Sequence, residues 1–203
     1  MFNRADSFAR AVAAIVLIAA LSAACAHEAA PIKHAAHAIN VPALLAVNGP
    51  LDAPPKGVAE LKFRDVFKLP AGAKGLEPTD TLRKLDGKRV RIVGFMVRQS
   101  PASKGTFLLS PLPVSLGDED EGLADDLPPA TLGIDLDAKA RDLAVPFLPG
   151  LLQFTGTLHV GMRADPATGR ATPAQLTLDV APARALRDAA QAQAKTSKPH
   201  TKI

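Results

Sequence analysis

The stretch KRVRIVGFMVR, residues 88–98, decides how this chain folds. Val90, Ile92 and Met96 fall on one parity and Val93, Phe95 and Val97 on the other, so a strand here is apolar on both faces. A strand of that kind is covered on both sides. Gly94 at its centre predicts a bend or bulge, as a tightly coiled small barrel requires. Upstream, Asp86-Gly87 supplies a turn, and Thr79 or Asp80 opens a short helix carrying Leu82 and Leu85. Further upstream, ELKFRDVFKLP at residues 60–70 fits either a short helix or a strand entering a turn. Downstream of a polar turn come TFLLSP (106–111), ATLGIDL (130–136), GLLQFTGTLHVGM (150–162) and QLTLDV (175–180), with a short helix between the second and third of these. The pattern predicts a mainly β protein: a small five-stranded OB-like barrel, or a strongly bent antiparallel sheet, with one or two short helices.

The rest of the 203 residues is divided by composition and charge. Hydrophobic residues make up 47% of the chain, enough for a buried core, and 18 Pro argue against a long-helix protein. The net charge of +4 is not in the body: it is +1 over residues 1–25, −1 over 26–182 and +4 over 183–203. A groove that tracks a nucleic-acid backbone would have to be basic in the body, so no nucleic-acid partner is expected. The basic end carries Arg184, Arg187, Lys195, Lys198 and Lys202; ARALRDAAQAQA (183–194) has good helix formers. The expected organisation is a signal peptide over residues 1–24, an Ala/Pro-rich tether over 25–57, an OB-like domain over 58–182 and a basic helical or disordered tail over 183–203.

The amino terminus reads as an address. Arg4 and Arg10 precede AVAAIVLIAALSAA (11–24), an apolar run of 14 residues ending in small side chains, which is the pattern of a secretory signal peptide. A spanning helix needs about 20 apolar residues, so the run is too short for a permanent span. The one cysteine of the chain, Cys25, follows in LSAAC. This placement resembles the lipobox of bacterial lipoproteins, in which the cysteine becomes the lipidated first residue, although Ser22 occupies the third position before Cys25. The resemblance implies a lipid anchor at Cys25, and Ala26 after it implies a periplasm-facing outer-membrane address. The alternative is ordinary cleavage near Ala24, giving a free periplasmic or secreted chain.

Two groups of residues have the chemistry of metal ligands. His27, His34 and His37 lie in the tether, where His34 and His37 would share a face of a helix. Unlipidated cleavage after Ala24 would also leave Cys25-Ala26-His27, able to chelate copper or nickel. Asp118, Glu119, Asp120, Glu121, Asp125 and Asp126 offer the oxygen donors that calcium prefers, but not in the alternate-position spacing of a calcium loop. Solvated polar segments are the expectation for both groups, and no cofactor is expected.

The segments LDGKRVRIVGFMV (85–97), FLLSP (107–111), DLPPATLGIDL (126–136) and GLLQFTGTL (150–158) resemble a family of exported bacterial proteins of unknown function. That family shows an LDGK-V-GY strand, an FLL-P strand, a proline pair before the third strand and a V-GTL strand. The resemblance implies an exported, OB-like domain. Relatives carry a Cys-x-His motif with a proline run and Asn-Gln between the second and third strands; Ser115, Leu116 and the acidic stretch stand in that place here, so no metal or thiol role carries over.

Catalytic signatures are sparse. There is no Gly-x-Ser-x-Gly elbow, and His159, within a strand, has no base partner at a telling spacing. The chain lacks Trp and Tyr, which disfavours sugar cleavage and single-strand stacking; Phe63, Phe95, Phe107 and Phe154 are expected in the core. The expected function is therefore a non-catalytic binding or accessory module of the bacterial envelope, contacting an envelope protein or complex. A metal-handling envelope protein is the alternative, and an envelope hydrolase the remote one.

Overall fold

A computed structural model describes residues 40–116, 127–164 and 169–196 of the protein. The chain is mainly β, with six strands in one mixed sheet: β1 (Ala59–Leu61), β2 (Arg89–Met96), β3 (Thr106–Ser110), β4 (Leu132–Asp135), β5 (Leu151–Ala164) and β6 (Ala171–Leu178). Among the described residues, two α-helices accompany them, α1 (Asp80–Lys84) and α2 (Val180–Thr196). Strands β2 to β6 form a partial ring, because β5 pairs with β2 as well as with β6. The ring is thinnest at β2–β3, where Phe95 faces Ser110 and Met96 faces Leu109.

The central strand buries one face fully and the other in part. Val90, Ile92 and Met96 enter the core beside Phe107, Leu132, Ile134, Leu152 and Phe154. On the opposite parity, Val97 is buried and Val93 and Phe95 are half-buried. Phe107 and Phe154 meet with ring centroids 5.3 Å apart in a tilted pair. Gly94 does not mark a bulge: the β2–β5 ladder runs through it without a break, from Arg89↔Thr157 to Phe95↔Leu151. The glycine instead makes room, since a Cβ there would sit 2.7 Å from the Phe63 ring and 2.8 Å from the Ser110 carbonyl oxygen. The irregularity lies in β5, between Val160 and Arg163.

The sheet differs from the expectation in two ways. A sixth strand, β1, comes from the segment that read as helix or strand, and it holds both: β1 ends at Leu61 and a 3-10 turn follows at Phe63–Asp65. The sheet is also mixed rather than antiparallel, because β1 runs parallel to β2 and β4 parallel to β6. Both parallel pairs join strands separated by enough chain to cross back, one through α1 and the other through β5. α1 opens as predicted: the Thr79 side chain accepts the Leu82 N–H at 3.0 Å, and Leu82 is buried beneath it. The helix expected between β4 and β5 is a 3-10 turn, Ala138–Ala140.

Packing reaches beyond residues 58–182 at both ends. Leu45 is in the core, Ala46 bridges Leu152, the Val47 N–H donates to the Leu151 carbonyl at 2.9 Å and Gln153 N–H to the Leu45 carbonyl at 2.8 Å. Arg91, only 7% exposed in its side chain, ties the same segment down by donating to the Asp52 carbonyl at 2.8 Å while pairing with Glu60 at 3.1 Å. At the other end, α2 buries Pro182, Ala183, Leu186 and Ala189, the last three at helical spacing. Its start is fixed by Asp179, which pairs with Arg89 at 2.7 Å. The hydrogen bond from Arg89 holds the Asp179 carboxyl below its ordinary value against the opposing effect of burial.

Candidate functional site

The outward face of β3, β4 and β6 carries polar side chains on strands whose other face is core. On β4, Leu132 and Ile134 point inward, which leaves Gly133 and Asp135 outward; on β6, Leu176 and Leu178 point inward, which leaves Gln175 and Thr177 outward. Gly133 faces Gln175 across the parallel pair, and the amide of Gln175 fills the space a Gly133 side chain would take. Gln175 is 7% exposed, and its Nε2 donates to Thr172 Oγ1. Thr106 is fixed at the edge of this floor by its own hydroxyl, which donates to the Ile134 carbonyl at 3.0 Å.

Walls rise on both sides of the floor and make a groove of about 580 Å³. One wall is the end of β5. The irregularity between Val160 and Arg163 places Arg163 opposite Thr172, and its guanidinium reaches the Asp135 carboxylate at 2.7 Å. The other wall is residues 136–141, which lie against residues 104–105. The contact is tight at Gly105: φ is +68°, and a Cβ there would lie 2.6 Å from the Arg141 carbonyl oxygen. Leu136 N–H donates to the Gly105 carbonyl at 2.9 Å, and Gly105 N–H to the Leu143 carbonyl at 2.8 Å. Lys104, Asp137 and Arg141 thus line the groove from segments locked together by backbone.

Among the described residues, five ionisable side chains line the groove: Lys104, Arg141 and Arg163 against Asp135 and Asp137. Arg163 and Asp135 neutralise each other. Lys104 and Arg141 form no ion pair among the described residues. Asp137 is half-buried, and its Oδ1 is buried without a hydrogen-bond partner. The arrangement can hold a polar ligand by charge, amide and carboxylate together.

Cys25, His27, His34 and His37 lie outside the described residues, as do Asp118, Glu119, Asp120, Glu121, Asp125 and Asp126. Among the described residues, no group of three or more His, Cys, Asp or Glu could hold a metal ion, and no helix is long and apolar enough to cross a membrane. His159 is exposed on β5, where it pairs in register with Gln175 but does not line the groove. The groove residues were missed because each was read within its own segment. The signal that could have found them is the outward parity of Gly133, Asp135, Gln175 and Thr177 in strands otherwise apolar.

No family model matches the chain, and no curated protein matches it. Among solved structures, a DUF3299 family protein from Pseudomonas aeruginosa PAO1 is similar, with 13% identity, coverage of 60% of this chain and 93% of that one, and a TM-score of 0.38. Likeness at that level carries no argument about this chain.

Proposed function

We propose that the chain is an exported, lipid-anchored binding module of the bacterial envelope, attached at Cys25 to the periplasmic face of the outer membrane and engaging an envelope protein or complex without catalysing a reaction. The observation that carries the binding role is the groove over β3, β4 and β6, whose lining brings together Lys104 and Arg141, which form no ion pair among the described residues, with Asp137 and the Gln175 amide. Such groups orient a ligand. The export role rests on the apolar run at 11–24 and on Cys25. The resemblance to an exported OB-like family supports the same reading, since OB-type sheets bind on an outward face.

Site-specific photocrosslinking in a bacterium tests the binding role. A crosslinking residue in place of Ala138, at the groove, is expected to give a discrete adduct with an envelope protein. The same residue in place of Arg184, exposed on α2, is expected to give none. Equal adducts from both positions, or none from Ala138, overturn the proposal.

A further inference from the structure

We propose that Asn48-Gly49 is a site of spontaneous covalent modification, at which the Asn48 amide is lost as ammonia and aspartate or isoaspartate takes its place. The sequence holds one Asn-Gly pair and one Asp-Gly pair, Asp86-Gly87. Both present a side-chain carbonyl carbon beside a backbone nitrogen that no Cβ of the following residue shields. In the ring-closing step the Gly49 nitrogen bonds to Asn48 Cγ and gives up its proton, the Cγ–Nδ2 bond breaks, and the amide nitrogen leaves with that proton as ammonia. The product is a cyclic imide. Water then opens it at either carbonyl, giving aspartate, or isoaspartate where the main chain runs on through Cγ. One water is consumed and one ammonia released, with no change of oxidation state.

What the fold leaves free separates the two pairs. Asn48 and Gly49 are exposed, the chain bends at Gly49, and a Cβ built on Gly49 would meet nothing within 4 Å. Neither residue makes a hydrogen bond among the described residues. The chain is tied on both sides of them: the Val47 N–H donates to the Leu151 carbonyl at 2.9 Å, and the Asp52 carbonyl accepts from Arg91 at 2.8 Å. The reactive pair is thus an open bend between two fixed points. At Asp86-Gly87 both reacting groups are already engaged, because Asp86 Oδ1 accepts the Val160 N–H at 2.9 Å and the Gly87 N–H donates to the Leu158 carbonyl at 2.8 Å. Ring closure there must first break both bonds. Conversion at position 48 adds a carboxylate to residues 40–57, whose charges, Asp52 and Lys56, otherwise cancel.

The full mature chain is held for days in mildly alkaline buffer, native and in guanidinium chloride, then digested, and the peptides carrying positions 48 and 86 are separated so that aspartate and isoaspartate are distinguished. Each position is compared with itself in the two states. In the native chain, position 48 is expected to convert to both products at a rate within severalfold of that in denaturant, while position 86 isomerises in denaturant alone. Mildly acidic buffer is expected to slow the conversion, because the attacking nitrogen must shed its proton. Gly49→Ala is expected to slow it severalfold by shielding that nitrogen, and Asn48→Gln to abolish it, because the longer side chain closes only a larger ring. Asn48 intact in the native chain after the denatured sample has converted overturns the inference, as does isomerisation at position 86 that keeps pace in the two states. Aspartate without isoaspartate at position 48 also overturns it, since direct hydrolysis without the Gly49 nitrogen gives aspartate alone. Should a variant lose its native amide spectrum, the comparison of native with denatured unmodified chain decides.

Discussion

Gly105 is where a single residue determines the groove, because its positive φ and its contact with Arg141 both exclude a side chain. Gly105→Ala must either strain the backbone or push residues 136–141 away. It is expected to cost about 1–3 kcal/mol, seen as a lower urea midpoint with an unchanged slope. A wild-type midpoint would mean the wall yields freely. Asp179 gives the residue scale its pH dependence. Its carboxyl is depressed chiefly by the hydrogen bond from Arg89, so the stability it contributes is complete above the ordinary carboxylate value of about 4 and is lost as pH falls through the lower folded value. Asp179→Asn is therefore expected to lower Tm at pH 7, with the difference from wild type shrinking on acidification below about pH 4. A difference constant down to pH 2 contradicts this. Individual residues were unevenly legible. The Thr79 cap declares itself by its side chain, but Arg91 does not: its burial depends on Glu60 and on the Asp52 carbonyl, which only the fold brings to it.

At the scale of elements, strands with strong apolar patterns could be read in the sequence and those stabilised by partners could not. β2, β3 and β5 carry their own signal in runs of Val, Ile, Leu and Phe. β1 has three residues and exists by pairing with β2, so no periodicity could reveal it. The segment around Leu45 reads as tether by composition, yet it adds to the edge of β5 and places one leucine in the core. Leu45→Ala is expected to destabilise the protein by about 2–4 kcal/mol. A chain beginning at Asn40 is expected to match the stability of one beginning at Ala26, while a chain beginning at Val58 loses Leu45 and the bond from Arg91 to Asp52 and unfolds at markedly lower urea. Equal midpoints for all three would show that residues 40–57 add nothing to the fold. Helix α2 follows the same logic, since its apolar stripe of Ala183, Leu186 and Ala189 was legible as helix but its docking was not.

For the whole molecule, the packing of Leu45 and its neighbours carries the folded body N-terminal to the boundary at residue 57 that composition predicts. The mainly β class was legible because the Val- and Ile-rich run of β2 reads as a strand, and its Val90, Ile92 and Met96 face enters the core. The groove was not, because it is assembled from residues 104–108, 133–141, 163–164 and 172–177, which meet only after the ring of strands has formed. The proposed lipid anchor rests on Cys25 and is tested by the intact mass of the mature protein extracted from bacterial membranes. The account predicts a chain beginning at Cys25 and heavier by a diacylglyceryl or triacyl group. An unmodified chain beginning at Cys25 or His27 would contradict it.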